Sequence, residues 1–288
     1  MLSIFFSAIA HSQTINDNAL KVENIYSNIS YSNPSYNGTT GKAEVFLFYK
    51  SYSGSLSQLK TLYTQINYNI KDKEDASVNR KQTLGAFLFT EKEGEYFSRN
   101  RFNISYCWHG RVSENYELSA GISVVYISYV FTNSSGGAGG ADNTFSSNIG
   151  ICLNSPTFTI GLAVQDFNSP SLRPLNYQFR FNRYYVANLG KKFILNEKLR
   201  LDLLSTSYWN SKFMMNNSAS FLISDHVSIG TFFHTYLGWS AMAGIKDVEF
   251  LSGELNFLFA YKLPVKSSSN LITNSYEFSL VYLFGREN

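Results

Sequence analysis

Residues 157 to 166 read Thr157-Phe158-Thr159-Ile160-Gly161-Leu162-Ala163-Val164-Gln165-Asp166, and this alternation decides the fold. Phe158, Ile160, Leu162 and Val164 share one parity; Thr157, Thr159, Gly161, Ala163 and Gln165 share the other. Successive side chains of a strand point to opposite faces, so one face meets an apolar medium and the other a polar one. A soluble β-sandwich and an outer-membrane barrel both satisfy that condition for a single strand. Repetition and length separate them. A barrel strand needs about 9 to 11 alternating residues to cross the hydrocarbon, and the sheet must close so that no backbone edge is left unpaired in lipid. Here the pattern recurs, with turns between, from about residue 42 to residue 284.

Composition points the same way. The 288 residues include 24 Phe, 20 Tyr and 3 Trp, an aromatic share of 16%, and the charged share is also only 16%. Ordinary soluble domains carry about a quarter charged residues. A barrel exchanges that charged exterior for an apolar band flanked by aromatic girdles. The formal net charge of +3, with no segment rich in Lys and Arg, is too small to imply a nucleic-acid or acidic-polymer partner, and none is expected. The longest apolar-looking stretch, 118–131, is broken by Ser119, Gly121, Ser123 and Ser128 and is shorter than the roughly 18 residues of a spanning helix.

Ahead of the barrel, residues 2–10 form an apolar h-region and Ala10-His11-Ser12 a small-x-small cleavage site before Gln13. Residues 1–12 therefore read as a signal peptide whose basic front is missing, as a mis-assigned start codon would leave it. Residues 13–41 read as a periplasmic or plug-like segment, and 42–288 as the barrel. Runs bounded by turn residues predict about fourteen antiparallel strands, near 42–50, 59–70, 82–91, 98–109, 116–131, 144–154, 157–166, 177–194, 198–210, 213–223, 226–237, 239–248, 250–263 and 275–284. With the N-terminus in the periplasm, tight connections at 110–115, 155–156, 196–197 and 224–225 fall inside, and the longer 131–143, 167–176 and 264–274 fall outside. The charged 71–81 connection is long for the inner side. Tyr208, Trp209, Tyr236 and Trp239 are expected in the outer aromatic girdle, and Trp108 and Tyr116 in the inner one.

Chemistry is sparse. His11, His109, His226 and His234 lack metal-ligand spacing, and the glycines of 136–140 lack the following Lys-Ser/Thr of a phosphate loop. Glu117, Asp202, Glu254 and Glu277 read as solvated lumen carboxylates balanced by Arg200 and Lys262, with an acid/base pair as the enzymatic alternative. Cys107 and Cys152 share the lumen parity with one strand between them, a separation of about 10 Å that a disulfide does not bridge. No catalytic residue, cofactor or metal site is expected. Parity also predicts that Val164→Arg costs about 2 to 4 kcal/mol at mid-depth while Gln165→Arg is mild.

Three stretches resemble the PorP/SprF family of outer-membrane proteins of the type IX secretion system of the Bacteroidota. Tyr31-Ser32-Asn33-Pro34-Ser35-Tyr36-Asn37-Gly38 resembles the family's Asn-Pro and Gly motif ahead of the first strand. Residues 85–130 resemble its middle run, with Glu91-Lys92-Glu93-Gly94, then Ser98, Arg99 and Arg101, then Tyr106 and His109, then Leu118, Ser119, Gly121 and Ile122. Residues 184–245 resemble its Gly-Lys-Lys turn and late Gly238-Trp239 pair. The chain departs from the family at 141–150, which lacks the proline of a Pro-Asp-x-x-x-Gly element. The resemblance implies a non-enzymatic barrel in the outer membrane, acting in secretion or in surface attachment of large adhesins, with a link to gliding motility. Its partners would be membrane lipid and a secreted adhesin or other secretion components. It marks Asn33, Pro34, Gly38, Arg99 and Arg101 as motif residues. The alternatives are an outer-membrane channel for small hydrophobic molecules and an outer-membrane enzyme. The mainly Ser, Thr, Asn, Gly and Tyr lumen parity argues against an ion-selective pore. Because loops on a rigid scaffold are free to recognise partners, Phe167, Leu172 and Arg173 are the candidate partner-binding residues.

Overall fold

The computed structural model describes residues 28–38, 41–54, 57–70, 80–94, 96–132, 139–174, 178–210, 212–235, 238–262 and 274–285. Residues 1–27, including the expected signal peptide, and residues 71–79, 133–138 and 263–273 of the connections lie outside them. Two short 3-10 turns, Ile29–Tyr31 and Pro34–Tyr36, precede sixteen strands. These are β1 (Ala43–Tyr52), β2 (Leu59–Ile70), β3 (Arg80–Glu93), β4 (Phe97–Ser113), β5 (Tyr116–Phe131), β6 (Gly140–Asn154), β7 (Phe158–Gln165), β8 (Ser171–Leu172), β9 (Phe179–Arg180), β10 (Tyr184–Asn196), β11 (Leu199–Trp209), β12 (Phe213–Ile223), β13 (Val227–His234), β14 (Gly238–Phe250), β15 (Gly253–Lys262) and β16 (Ser275–Phe284).

All but β8 and β9 form one closed antiparallel barrel in which each strand pairs with its neighbour in sequence, and β7 with β10. The fourteen expected strands are the fourteen of the barrel. Closure runs along the whole of β1 and β16, from Ala43 opposite Phe284 to Tyr52 opposite Ser275. Inside that seam Lys50 Nζ lies 2.9 Å from Glu277 Oε1, both side chains fully buried. An ion pair across the first and last strands opposes register slip, because sliding either strand by one residue would turn one charge toward lipid.

The faces follow the period-two pattern. On β7, Ile160 and Leu162 are 45% and 52% exposed on the outer surface while Gly161, Ala163 and Gln165 are buried inside. In the membrane that exposed face is the lipid contact. Tyr208 departs from the girdle expectation: it is buried in the lumen, and only Trp209 next to it faces out. Adjacent strand residues cannot share a face. Trp239 and Tyr116 are exposed, and Tyr236 is outside the described residues.

The predicted strand at 177–194 is shorter than expected. Its front becomes β9, which pairs with β8 in a two-stranded hairpin, and the barrel strand starts at Tyr184. Phe179 and Phe181 keep the alternation that suggested a strand, but they cover the barrel mouth. The chain is turned inward by Asp166 and Ser169, at φ 52° and 46°. β7 therefore stops at Gln165, and its ladder with β6 reaches only Ile149 to Asn154. Above that ladder Phe167 N–H donates to the Ser147 carbonyl at 2.9 Å. The Asn168 amide then accepts from Ser147 N–H at 3.1 Å and donates to the Phe145 carbonyl at 2.8 Å. A side-chain amide supplies a rung where no strand is present, which blunts an edge that would otherwise invite pairing with another chain.

Candidate functional site

Two arrangements occupy the lumen. The deeper one is the seat of residues 28–38. Asn33 caps the second 3-10 turn: its Oδ1 accepts from Ser35 N–H at 3.1 Å and from Ser35 Oγ at 2.7 Å, with Pro34 as the first turn residue. Its Nδ2 reaches Asn188 Oδ1 on β10 at 3.3 Å and the carbonyls of Ile151 and Leu162 at 3.4 Å. Gln165 donates to the carbonyls of Tyr31 and Ser32 at 3.2 and 3.1 Å. Cys107 Sγ donates to the Ser35 carbonyl at 3.2 Å. His109 Nε2 lies 3.0 Å from the Asn37 carbonyl oxygen, and Nδ1 lies 2.8 Å from Ser119 Oγ and 3.3 Å from Glu117 Oε1. Burial pushes the Tyr36 phenol up, beside Cys152, so it stays protonated.

The wall is shaped to that segment. Register places Cys107, Gly121, Gly150 and Ala163 side by side across β4 to β7, and Ser119, Cys152, Gly161 and Asn188 side by side across β5, β6, β7 and β10. A methyl group on Gly121 would stand 2.4 Å from the Pro34 carbonyl, and one on Gly150 2.0 Å from Asn33 Oδ1. On Gly161 it would meet Asn33 Nδ2 and the Tyr36 ring at 2.8 Å. Gly38, at φ 65°, packs on Thr83 as the segment leaves the seat.

The second arrangement closes the outer mouth. Arg99 pairs with Glu91 on β3, and Arg101 lies 6.0 Å from the Phe181 ring. Leu172 is fully buried with Val125, Ile127, Tyr129 and Phe181, and Phe179 packs against this cluster. A cavity lined by Tyr31, Phe87, Arg101, Asn148, Gln165 and Asp166 separates the two arrangements.

The motif residues divide between the two arrangements: Asn33, Pro34 and Gly38 belong to the seat, Arg99 and Arg101 to the mouth. The three loop candidates do not share one face. Phe167 is 54% exposed, with Arg183 5.3 Å over its ring. Arg173 is also exposed; its N–H donates to Asp142 and its guanidinium to Gln178 at 3.0 Å. Leu172, between them, points inward. Gln165 is buried and bonded to the lumen segment, so Gln165→Arg is expected to be costly rather than mild. Of the lumen carboxylates, Asp202 meets Arg200 at 2.8 Å, Glu117 meets His109 at 3.3 Å, and Glu277 meets Lys50 at 2.9 Å. His226 sits in the turn before β13 and His234 is buried in the lumen. Among the described residues no group of His, Cys, Asp and Glu could hold a metal. Gly150, Gly161 and Asn188 were not anticipated. For the two glycines the signal is a glycine on the lumen parity of a strand, where close backbone approach is the usual reason for one; Asn188 carries no such signal.

A family model described as type IX secretion system membrane protein PorP/SprF matches residues 16–282. No curated protein matches the sequence. Among solved structures the chain is similar to the Ralstonia pickettii toluene transporter TbuX, at TM-score 0.58 and 10% identity over 90% of this chain and 93% of that one. It is also similar to a Pseudomonas aeruginosa FadL homologue, at TM-score 0.55 and 8% identity over 88% and 93%. A third is the Acinetobacter baumannii outer membrane protein Omp33, at TM-score 0.51 and 9% identity over 86% and 100%. At these identities the likeness concerns the fold, an outer-membrane barrel.

Proposed function

The chain belongs to the PorP/SprF family of type IX secretion system membrane proteins, and from that membership we propose that it is a scaffold barrel for secretion or surface attachment of a large adhesin. Its place is the outer membrane. The observation that carries the scaffold reading is the division of labour between wall and loop. Inner groups are committed to internal pairing, while Phe167 and Arg173 stand exposed on a loop pinned to β6. Aromatic and Arg side chains on a rigid support are what protein interfaces favour. Channel function for small hydrophobic molecules is the second reading, favoured by the likeness to the toluene transporter. It has less support, because a through-channel wets its inner wall along its whole length and here the outer half of that wall is buried.

The test uses a type IX host lacking this gene, restored with the wild type or with a Phe167→Ser/Arg173→Glu double variant. Loop deletion is unsuitable, since 168–173 includes the Asn168 rung and the Leu172 anchor. Loss of surface display without the gene, and a display reduced severalfold by the double variant at equal barrel insertion, is the expected result. Unchanged display without the gene sinks the secretion role, and full display by the double variant moves partner binding off this loop.

A further inference from the structure

We propose that the inner wall of β4 to β7 and β10 is a receptor for an Asn-Pro turn, filled in cis by residues 32–37, and that this occupancy keeps the barrel closed to solutes. Three observations carry it. The first is shape. A fourteen-stranded barrel is wide enough to keep a lumen unless something fills it. A wall meant to fill its own interior would carry large side chains, yet Gly121, Gly150 and Gly161 stand where the turn lies. These glycines differ from Gly230 and Gly244, whose added methyl groups would meet only neighbouring wall atoms. The second is chemistry. The seat offers an amide at Asn188, a thiol at Cys107 and an imidazole at His109, and each engages a backbone carbonyl or side chain of the segment. Convergent pairing from β4 and β10 onto one short segment, in a site out of water, distinguishes a built receptor from casual packing.

The third observation is closure. Around the outer half of the lumen the inward groups of nearly every strand are buried: Lys50, Thr61, Glu91, Arg99, Ile127, Tyr208, Asn216, His234, Ser240, Lys262 and Glu277. A water-filled passage would leave them wet. The ligand class is therefore a short peptide turn with an Asn side chain, a following proline and a small polar residue, and the resident copy comes from this chain.

Purified full-length protein in planar lipid bilayers tests the idea, with two natural reporters: Cys107 and Cys152 are buried beneath Ser35 and Tyr36. The wild type should give no stable conductance steps, and an impermeant maleimide should leave both thiols unlabelled. Gly121→Val, which alters the wall, and Asn33→Leu, which alters only the segment, should each open steps and speed labelling at least about tenfold, since local opening controls access to buried groups. A synthetic peptide of residues 32–38 should then block the Asn33→Leu pore and not the Gly121→Val pore. Wild-type conductance equal to that of the variants overturns the closure. Both variants staying closed and unlabelled, while inserted as folded barrels, overturns the seat. Open variants that the peptide never blocks overturn the receptor and leave only packing.

Discussion

At the residue scale, parity makes neighbours unlike. Trp209 meets lipid and Tyr208 the lumen, and Leu162 and Gln165 differ in the same way. Composition cannot convey this, because both faces hold aromatic residues. Parity also puts charge in places where it must be paired. Lys50 and Glu277 are fully buried at 2.9 Å, so Lys50→Met strips the carboxylate of its cation and should destabilise the folded barrel by about 3 to 5 kcal/mol. Replacing both partners, as Lys50→Met with Glu277→Leu, should recover most of that loss, because neither member of the pair is then left charged without the other. Urea midpoints of the protein refolded in liposomes measure both. A single variant as stable as the wild type would mean that the seam is not held by this pair.

Single strands were readable to within a few residues, and β2, β5, β12 and β16 coincide with their predicted ranges. What the element scale adds is where alternation stops meaning barrel. Phe179 and Phe181 continue the period of β10 backward, but two left-handed residues, Asp166 and Ser169, have already turned the chain over the mouth. The β8–β9 hairpin is anchored there by the fully buried Leu172, with Phe181 and Phe179 packed in the same cluster. Leu172→Asp should release it without disturbing the barrel, freeing the backbone after Arg180 and Arg183 to enter a protease site. Trypsin cleavage of the inserted protein should rise about tenfold or more, as expected when a locally stabilised unit loses its anchor. Cleavage at the wild-type rate would show that the Asn168 rung and the Arg173 contact to Asp142 suffice to hold the loop.

At the scale of the whole molecule, closure is the property on which the others depend. A chain ending at residue 274 would keep every other hairpin but leave β1 and β15 with open edges, which lipid does not tolerate. It should aggregate rather than insert as a monomer, and sedimentation in detergent distinguishes the two; a monodisperse truncated barrel would show that β1 and β15 can pair directly. The barrel itself was legible in the sequence because strand parity, turn chemistry and scarce charge are local quantities that repeat fourteen times, and repetition makes a weak pattern strong. Asn33, Pro34, Gly38, Arg99 and Arg101 stood out by motif, yet their spacing said nothing of where they meet. The seat joins Asn33 to Asn188 and Gly121 to Pro34, contacts between residues far apart in the chain. Which strand faces which, and at what register, depends on how the sheet is sheared when it closes. That shear is fixed only when all the strands are in place, so only the tertiary structure could decide what fills the lumen and which loop residue turns inward.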